Sequence, residues 1–190
     1  MRRFIVGVSW ILVVGYPFIV FLGLRSFTAK SVVIALIVLA LARIVIVRRQ
    51  IKDSFLPTLL SIVMLLLAVY ALMANNPDSL LYYPVAVNAV LLGLFSYSLL
   101  NGPSFVERLA RITEPQLSAR AVIYTRKVTF VWCVFFLCNG SIALYTATFS
   151  SHEAWTVYNG LVAYLLIGLV MSVEYVIRRR VKRADYVGTV

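Results

Sequence analysis

Long apolar runs separated by polar turns constrain this chain more than any other feature of its sequence. Six runs follow one another, and several approach the ~20 residues that a helix needs to cross ~30 Å of hydrocarbon. The chain is 62% apolar and 13% charged, whereas a soluble domain is about half apolar and about a quarter charged. We predict an all-α, polytopic membrane helix bundle that forms a single membrane domain over residues 1–190. The predicted spans are 4–23, 31–47, 55–73, 80–100, 128–149 and 155–177.

The distribution of basic residues predicts how the six spans are oriented. If both termini and the 101–127 loop share one side, that side carries fifteen Lys and Arg residues, whereas the other side carries only Arg25 and Lys30. Cytoplasmic loops have an excess of these residues. We therefore predict that both termini and the 101–127 loop are cytoplasmic. Tyrosines and Trp155 near the opposite face would then form an aromatic belt.

The 101–127 loop is the one long polar interval of the sequence. Ser104 and Glu107 have the spacing of a capping box, which predicts a short amphipathic helix over 104–113 with Leu109 on its apolar face and Glu107 on its polar face. Basic residues near an anionic leaflet contribute about 1 kcal/mol each. The loop and the tail are thus candidate contacts for anionic phospholipid or a partner protein, unless their charges only set the topology. The candidate residues are Arg108, Arg111, Arg120, Arg126, Lys127, Arg178, Arg179, Arg180, Lys182 and Arg183.

Two ionisable residues lie inside predicted spans, where a charge costs about 2.5 to 3.5 kcal/mol on insertion scales. Arg43 is on the second span and Glu174 is on the sixth. Both lie at a similar depth from the cytoplasmic face, so they are a candidate intramembrane pair. The alternative is that each side chain reaches the interface by itself, with Glu174 paired to Arg178 four residues further on.

Three uncharged polar residues on the fourth and fifth spans are candidates for lining a substrate path. They are Asn88, Asn139 and Ser141. The alternative role is hydrogen bonding between helices, which contributes about 0.6 to 2 kcal/mol in membranes.

The reactive groups that an enzyme needs are sparse in this sequence. The one histidine and the one glutamate within a span lie at opposite membrane faces, so a membrane metalloprotease is not indicated. A glycine-rich phosphate-binding loop is missing as well. The net charge of +11 lies at the ends of apolar runs, which argues against nucleic-acid binding. We predict no enzymatic activity, no cofactor and no metal.

Three segments carry a family resemblance: Tyr16-Pro17-Phe18-Ile19-Val20, then Phe105-Val106-Glu107-Arg108-Leu109 after Gly102-Pro103, and Val131-Trp132-Cys133-Val134-Phe135-Phe136-Leu137-Cys138-Asn139-Gly140. With them the chain resembles the bacterial intracellular septation protein A family of inner-membrane proteins. It is also similar to uncharacterised membrane proteins found beside aryl-polyene and fatty-acid-like biosynthetic genes.

The first resemblance implies a part in cell-envelope maintenance and division through contacts with other inner-membrane proteins. The second implies a helper in making or exporting a lipid-like product. The predicted function is therefore non-enzymatic support of cell-envelope or membrane-lipid biogenesis through binding of partners and anionic lipid. The alternative is a carrier or flippase-like transporter of a lipid-like amphiphile.

Overall fold

All regular secondary structure in the described part of the chain is helical. The computed structural model describes Phe18, Val20, Leu22 and residues 29–50 and 55–187. The all-α prediction is confirmed for these residues. The helices are α1 (Ala29–Gln50), α2 (Phe55–Met73), the 3₁₀ helix (Pro77–Tyr82), α3 (Tyr83–Leu100), α4 (Phe105–Thr113), α5 (Ala119–Phe149), α6 (His152–Val157), the π-helix (Tyr158–Val162) and α7 (Ala163–Val187).

Within the described residues, three helical stretches are long and apolar enough to cross a membrane: Pro77–Leu100, Ala119–Phe149 and His152–Val181. They contain the fourth, fifth and sixth predicted spans. Two shorter apolar stretches overlap the second and third predicted spans: Lys30–Ala42 and Thr58–Met73. The first predicted span lies almost wholly outside the described residues. Many large apolar side chains on these helices are exposed, as is expected of surfaces that face hydrocarbon rather than water.

The described chain forms two compact units. Unit 1 comprises the residues up to Val87 together with Ile142–Val162, and unit 2 comprises Asn88–Ser141 together with the residues from Ala163 onward. The division falls inside α3 and α5 and at the start of α7.

Unit 1 has an apolar core in which α1 packs along α2. Leu36 of α1 and Ala68 of α2 are almost fully buried there. A Schellman motif ends α2, because Asn75 has a positive φ of 49° and the Asn76 N–H donates to the Ala71 carbonyl at 3.0 Å. Asparagine tolerates the left-handed conformation through its short polar side chain, so Asn75 allows α2 to end in this turn.

Trp155 is the largest fully buried side chain among the described residues. Its indole N–H donates to the Leu81 carbonyl at 3.0 Å, and the buried Asn159 amide donates to the Trp155 carbonyl at 2.9 Å and to Thr146 Oγ1 at 3.2 Å. The placement of Trp155 in an aromatic belt was wrong. A belt residue needs a face toward the lipid headgroups, whereas this side chain is 1% exposed within the core of unit 1.

Unit 2 has an aromatic core that holds α4 against α3. Phe95 of α3 stacks on Phe105 of α4 with ring centroids 4.2 Å apart, and it meets Phe136 of α5 edge-on at 5.1 Å. Between α3 and α4, Gly102 has a φ of 89°, a conformation that a residue with a Cβ adopts only with strain. The short helix of the 101–127 loop is therefore packed on the rest of unit 2.

Candidate functional site

Buried hydroxyl groups fix the start of α4. Ser98 Oγ accepts the Phe105 N–H at 2.8 Å, and Thr129 Oγ1 accepts the Val106 N–H at 3.3 Å. Ser98 is 2% exposed and Thr129 is 0% exposed. The first N–H groups of a helix have no partner within the helix, so these two hydroxyls satisfy donors that burial would otherwise leave unpaired.

Glu107 is buried, which corrects the prediction that it lies on the polar face of α4. Ser104 Oγ accepts the Glu107 N–H at 3.4 Å and so forms one half of the predicted capping box. The carboxylate binds elsewhere: its Oε1 accepts from Arg111 Nε at 2.9 Å and from Arg111 Nη2 at 2.8 Å. The Glu107 side chain is 7% exposed and the Arg111 side chain is 41% exposed. A buried carboxylate needs a charged partner, and the guanidinium one turn away supplies it.

Three of the ten candidate basic residues stabilise the segment between α3 and α5. Besides the Arg111 bond to Glu107, Arg108 Nε donates to the Pro103 carbonyl at 2.9 Å and Arg126 Nη2 donates to the Leu99 carbonyl at 2.7 Å. The Leu99 carbonyl belongs to the last turn of α3, where carbonyls have no helical N–H to accept. These arginines therefore stabilise the path of the chain between α3 and α5.

A groove of about 690 Å³ opens beside α4 in unit 2, within the range of about 300 to 1,000 Å³ that is typical of ligand pockets. Its walls come from α4, the 114–118 turn, the first turns of α5 and the last turns of α7. Glu114, Glu174 and Arg178 place two carboxylates and one guanidinium along it. We call it the amphiphilic groove. Its apolar lining is formed by Val106, Leu109, Ala110, Leu117, Ala121 and Val181.

Tyr124 links α5 to α7 inside this groove. Its hydroxyl lies 3.1 Å from the Glu174 carbonyl oxygen and 3.4 Å from Glu174 Oε1. Glu174 and Arg178 are one turn apart on α7, yet within the described part of the chain no ion pair joins them. The alternative in which Arg178 pairs with the Glu174 carboxylate is therefore not realised in this structure. The Tyr124 hydroxyl, which has a single proton, lies closer to the Glu174 carbonyl than to the carboxylate.

A second groove of about 680 Å³ adjoins the first, and Tyr124 and Val181 line both. Arg120, Lys127 and Arg180 also line it, and all three are exposed. Residues four and seven positions apart share a helix face, which places Arg120, Tyr124 and Lys127 on the same side of α5. We call this the basic groove.

Of the remaining basic candidates, the structure describes the side chain of Arg179. Arg179 Cζ lies 5.5 Å from the centroid of the Tyr175 ring, within the range of a cation–π contact. The side chains of Lys182, Arg183 and Arg43 lie outside the described residues. The pair between Arg43 and the sixth span therefore stays a prediction.

The structure brings together two of the three residues predicted to line a path. Asn139 Nδ2 of α5 donates to Asn88 Oδ1 of α3 at 3.1 Å, and the two residues are 6% and 7% exposed. A Cβ on Gly140 would lie 3.0 Å from Asn88 Cβ, so the glycine permits this close approach. The third residue, Ser141, is exposed and donates to the Leu137 carbonyl of its own helix at 2.8 Å.

Tyr124 and Glu114 were not identified from the sequence. A helical projection of the start of α5 contains the signal for Tyr124, which follows Arg120 by four positions and precedes Lys127 by three. Glu114 lies in the turn after α4, where no periodic pattern distinguishes a groove-lining residue from its neighbours.

Among the described residues, no group of three His, Cys, Asp or Glu side chains lies close enough together to hold a metal ion. Comparison with protein-family models, curated proteins and solved structures returns no match to this chain. The resemblance to the septation protein family therefore stays a prediction from sequence motifs.

Proposed function

We propose that this chain is a multi-pass protein of the bacterial cytoplasmic membrane that binds anionic phospholipid. In this proposal it has no enzymatic activity, and it supports cell-envelope or membrane-lipid biogenesis together with other inner-membrane proteins. The observation that carries the proposal is the basic groove, where Arg120, Lys127 and Arg180 adjoin the apolar side chains of Ile123 and Val181. A phosphate group would meet the three cations, and the start of an acyl chain would meet the apolar wall.

The length of α5 supports a location of this groove at a membrane surface. The helix has 31 residues, which corresponds to about 46 Å at 1.5 Å per residue, whereas the hydrocarbon core is about 30 Å thick. With six spans and both termini cytoplasmic, the excess lies at the N-terminal end of α5, which carries Arg120 and Lys127. The groove would then lie among the headgroups of the cytoplasmic leaflet.

The charge of the groove sets the expected strength of binding. Each basic residue near an anionic surface contributes about 1 kcal/mol, so three contribute about 3 kcal/mol, or roughly a hundredfold in affinity. Arginine adds geometric selectivity, because its guanidinium group can bind two phosphate oxygens at once.

The test is the affinity of the purified protein, in neutral detergent, for fluorescently labelled phosphatidylglycerol. Replacing Arg120, Lys127 and Arg180 together by Gln should weaken binding by roughly a hundredfold. The matched control compares Arg180→Gln with Arg179→Gln, because Arg179 is described, carries the same charge and lies over the Tyr175 ring instead of lining the basic groove. Equal weakening by these two single substitutions would show that net charge alone attracts the lipid and would contradict the proposal.

The alternative of a carrier receives less support from the geometry. A carrier needs an open polar path, whereas the Asn88 and Asn139 side chains bind each other in a buried contact between α3 and α5. Hydrogen bonds of this kind are typical of helix association in membranes. We therefore favour the lipid-binding function.

A further inference from the structure

The amphiphilic groove differs from the basic groove because its charges are of both signs. Glu114, Glu174 and Arg178 line it, and in the described part of the chain Glu174 and Arg178 do not neutralise each other in an ion pair. Binding sites present charges complementary to those of their ligands. A ligand that fits this groove therefore has a positive group for the Glu174 carboxylate and a negative group for the Arg178 guanidinium.

Tyr124 lies beside the Glu174 carboxylate and occupies little of its acceptor capacity. The tyrosine hydroxyl has one proton and is closer to the Glu174 carbonyl oxygen, at 3.1 Å, than to Oε1, at 3.4 Å. A carboxylate has about four lone-pair sites in all, so this hydroxyl takes at most one of them. A primary ammonium group brings three N–H donors to these sites.

The composition of the wall favours a primary amine over a quaternary one. Quaternary ammonium groups have no N–H and are bound by cages of several aromatic rings. Tyr124 is the one aromatic side chain among the lining residues that the structure describes. A choline headgroup would thus find no cage here, whereas an ethanolamine headgroup would find carboxylate acceptors.

The negative group and the apolar part of the ligand follow from the remaining lining residues. Arg178 is suited to a phosphate, which accepts two parallel hydrogen bonds from a guanidinium. Val106, Leu109 and Leu117 supply an apolar wall for the start of an acyl chain. We propose that the amphiphilic groove binds a phospholipid with a phosphoethanolamine headgroup, at a site separate from the basic groove. This inference rests on the proposed function, since it requires that the groove meets a lipid leaflet.

The experiment titrates the full-length protein in neutral detergent with phosphatidylethanolamine, phosphatidylcholine or phosphatidylglycerol of identical acyl chains, and counts bound lipids by native mass spectrometry. Wild type should bind phosphatidylethanolamine at least tenfold more tightly than phosphatidylcholine. The variant Glu174→Gln keeps the size of the side chain but removes its charge. Its ratio of affinities for phosphatidylethanolamine and phosphatidylcholine should be about tenfold smaller than that of wild type.

The two proposals fail in different ways. The inference is overturned if phosphatidylethanolamine and phosphatidylcholine bind wild type equally, or if Glu174→Gln keeps the wild-type preference. The triple variant of the basic groove should weaken phosphatidylglycerol binding and leave phosphatidylethanolamine binding unchanged. If phosphatidylglycerol binding proves insensitive to that variant while the ethanolamine preference depends on Glu174, the proposed anionic-lipid function fails and the amine site stands.

Discussion

The approach of Gly140 to Asn88 leads to a quantitative prediction for Gly140→Ala. The added methyl carbon would lie 3.0 Å from Asn88 Cβ and 3.7 Å from Asn88 Cγ, whereas carbon atoms prefer about 3.5 to 4.0 Å. The two helices must therefore separate by about 0.5 Å, and overpacking of this kind costs about 1 to 3 kcal/mol. Alanine recovers about 1 kcal/mol of helix propensity. Since the separation also strains the 3.1 Å bond between Asn139 and Asn88, we expect a net loss of about 1 to 2 kcal/mol.

The measurement is unfolding by sodium dodecyl sulfate in mixed micelles, followed by circular dichroism. Gly93→Ala and Gly168→Ala are matched controls, because a Cβ at either position meets nothing within 4 Å. Both controls should be as stable as wild type or more stable by up to about 1 kcal/mol. If Gly140→Ala unfolds at the same detergent fraction as Gly93→Ala, the contact with Asn88 does not limit helix approach and the reasoning is refuted.

Two further predictions concern charged residues. Arg111→Ala should lower the free energy of unfolding by about 3 kcal/mol, because it leaves the buried Glu107 carboxylate without its partner. Glu107→Gln should lower it by only about 1 kcal/mol, because the half-exposed Arg111 guanidinium is solvated. Equal losses of stability in the same unfolding assay would argue against burial as the cause. For the pair predicted from sequence, Arg43→Leu and Glu174→Leu should destabilise the protein non-additively in detergent, and additive losses in the double variant would rule the pair out.

The helices could be predicted because apolar length is a local signal. A segment in hydrocarbon must satisfy all its backbone hydrogen bonds internally, so a long apolar run specifies a helix without reference to its neighbours. Capping is equally local: α5 begins next to Ser118, whose hydroxyl accepts the Ala121 N–H at 3.0 Å. Both signals depend on residues within one or two turns of each other.

The sequence could not predict which basic residues bond to backbone carbonyls and which line a groove, because this depends on how the chain packs after α3. The stacking of Phe105 on Phe95 docks α4, and that docking buries Glu107 and brings arginines to backbone carbonyls. Sequence counting treats Arg108 and Arg120 as equivalent charges. Only the tertiary contacts separate an arginine that stabilises a turn from one that lines a groove.

The uninterrupted course of α5 couples the packing of its middle to the width of the grooves at its start. Tyr124 precedes Gly140 by sixteen residues, or about 24 Å along the helix axis. If α5 tilts by about 5° about the contact between Gly140 and Asn88, Tyr124 moves by about 2 Å. A methyl group added at residue 140 would therefore change the distance between Tyr124 and Glu174, although residue 140 lines neither groove.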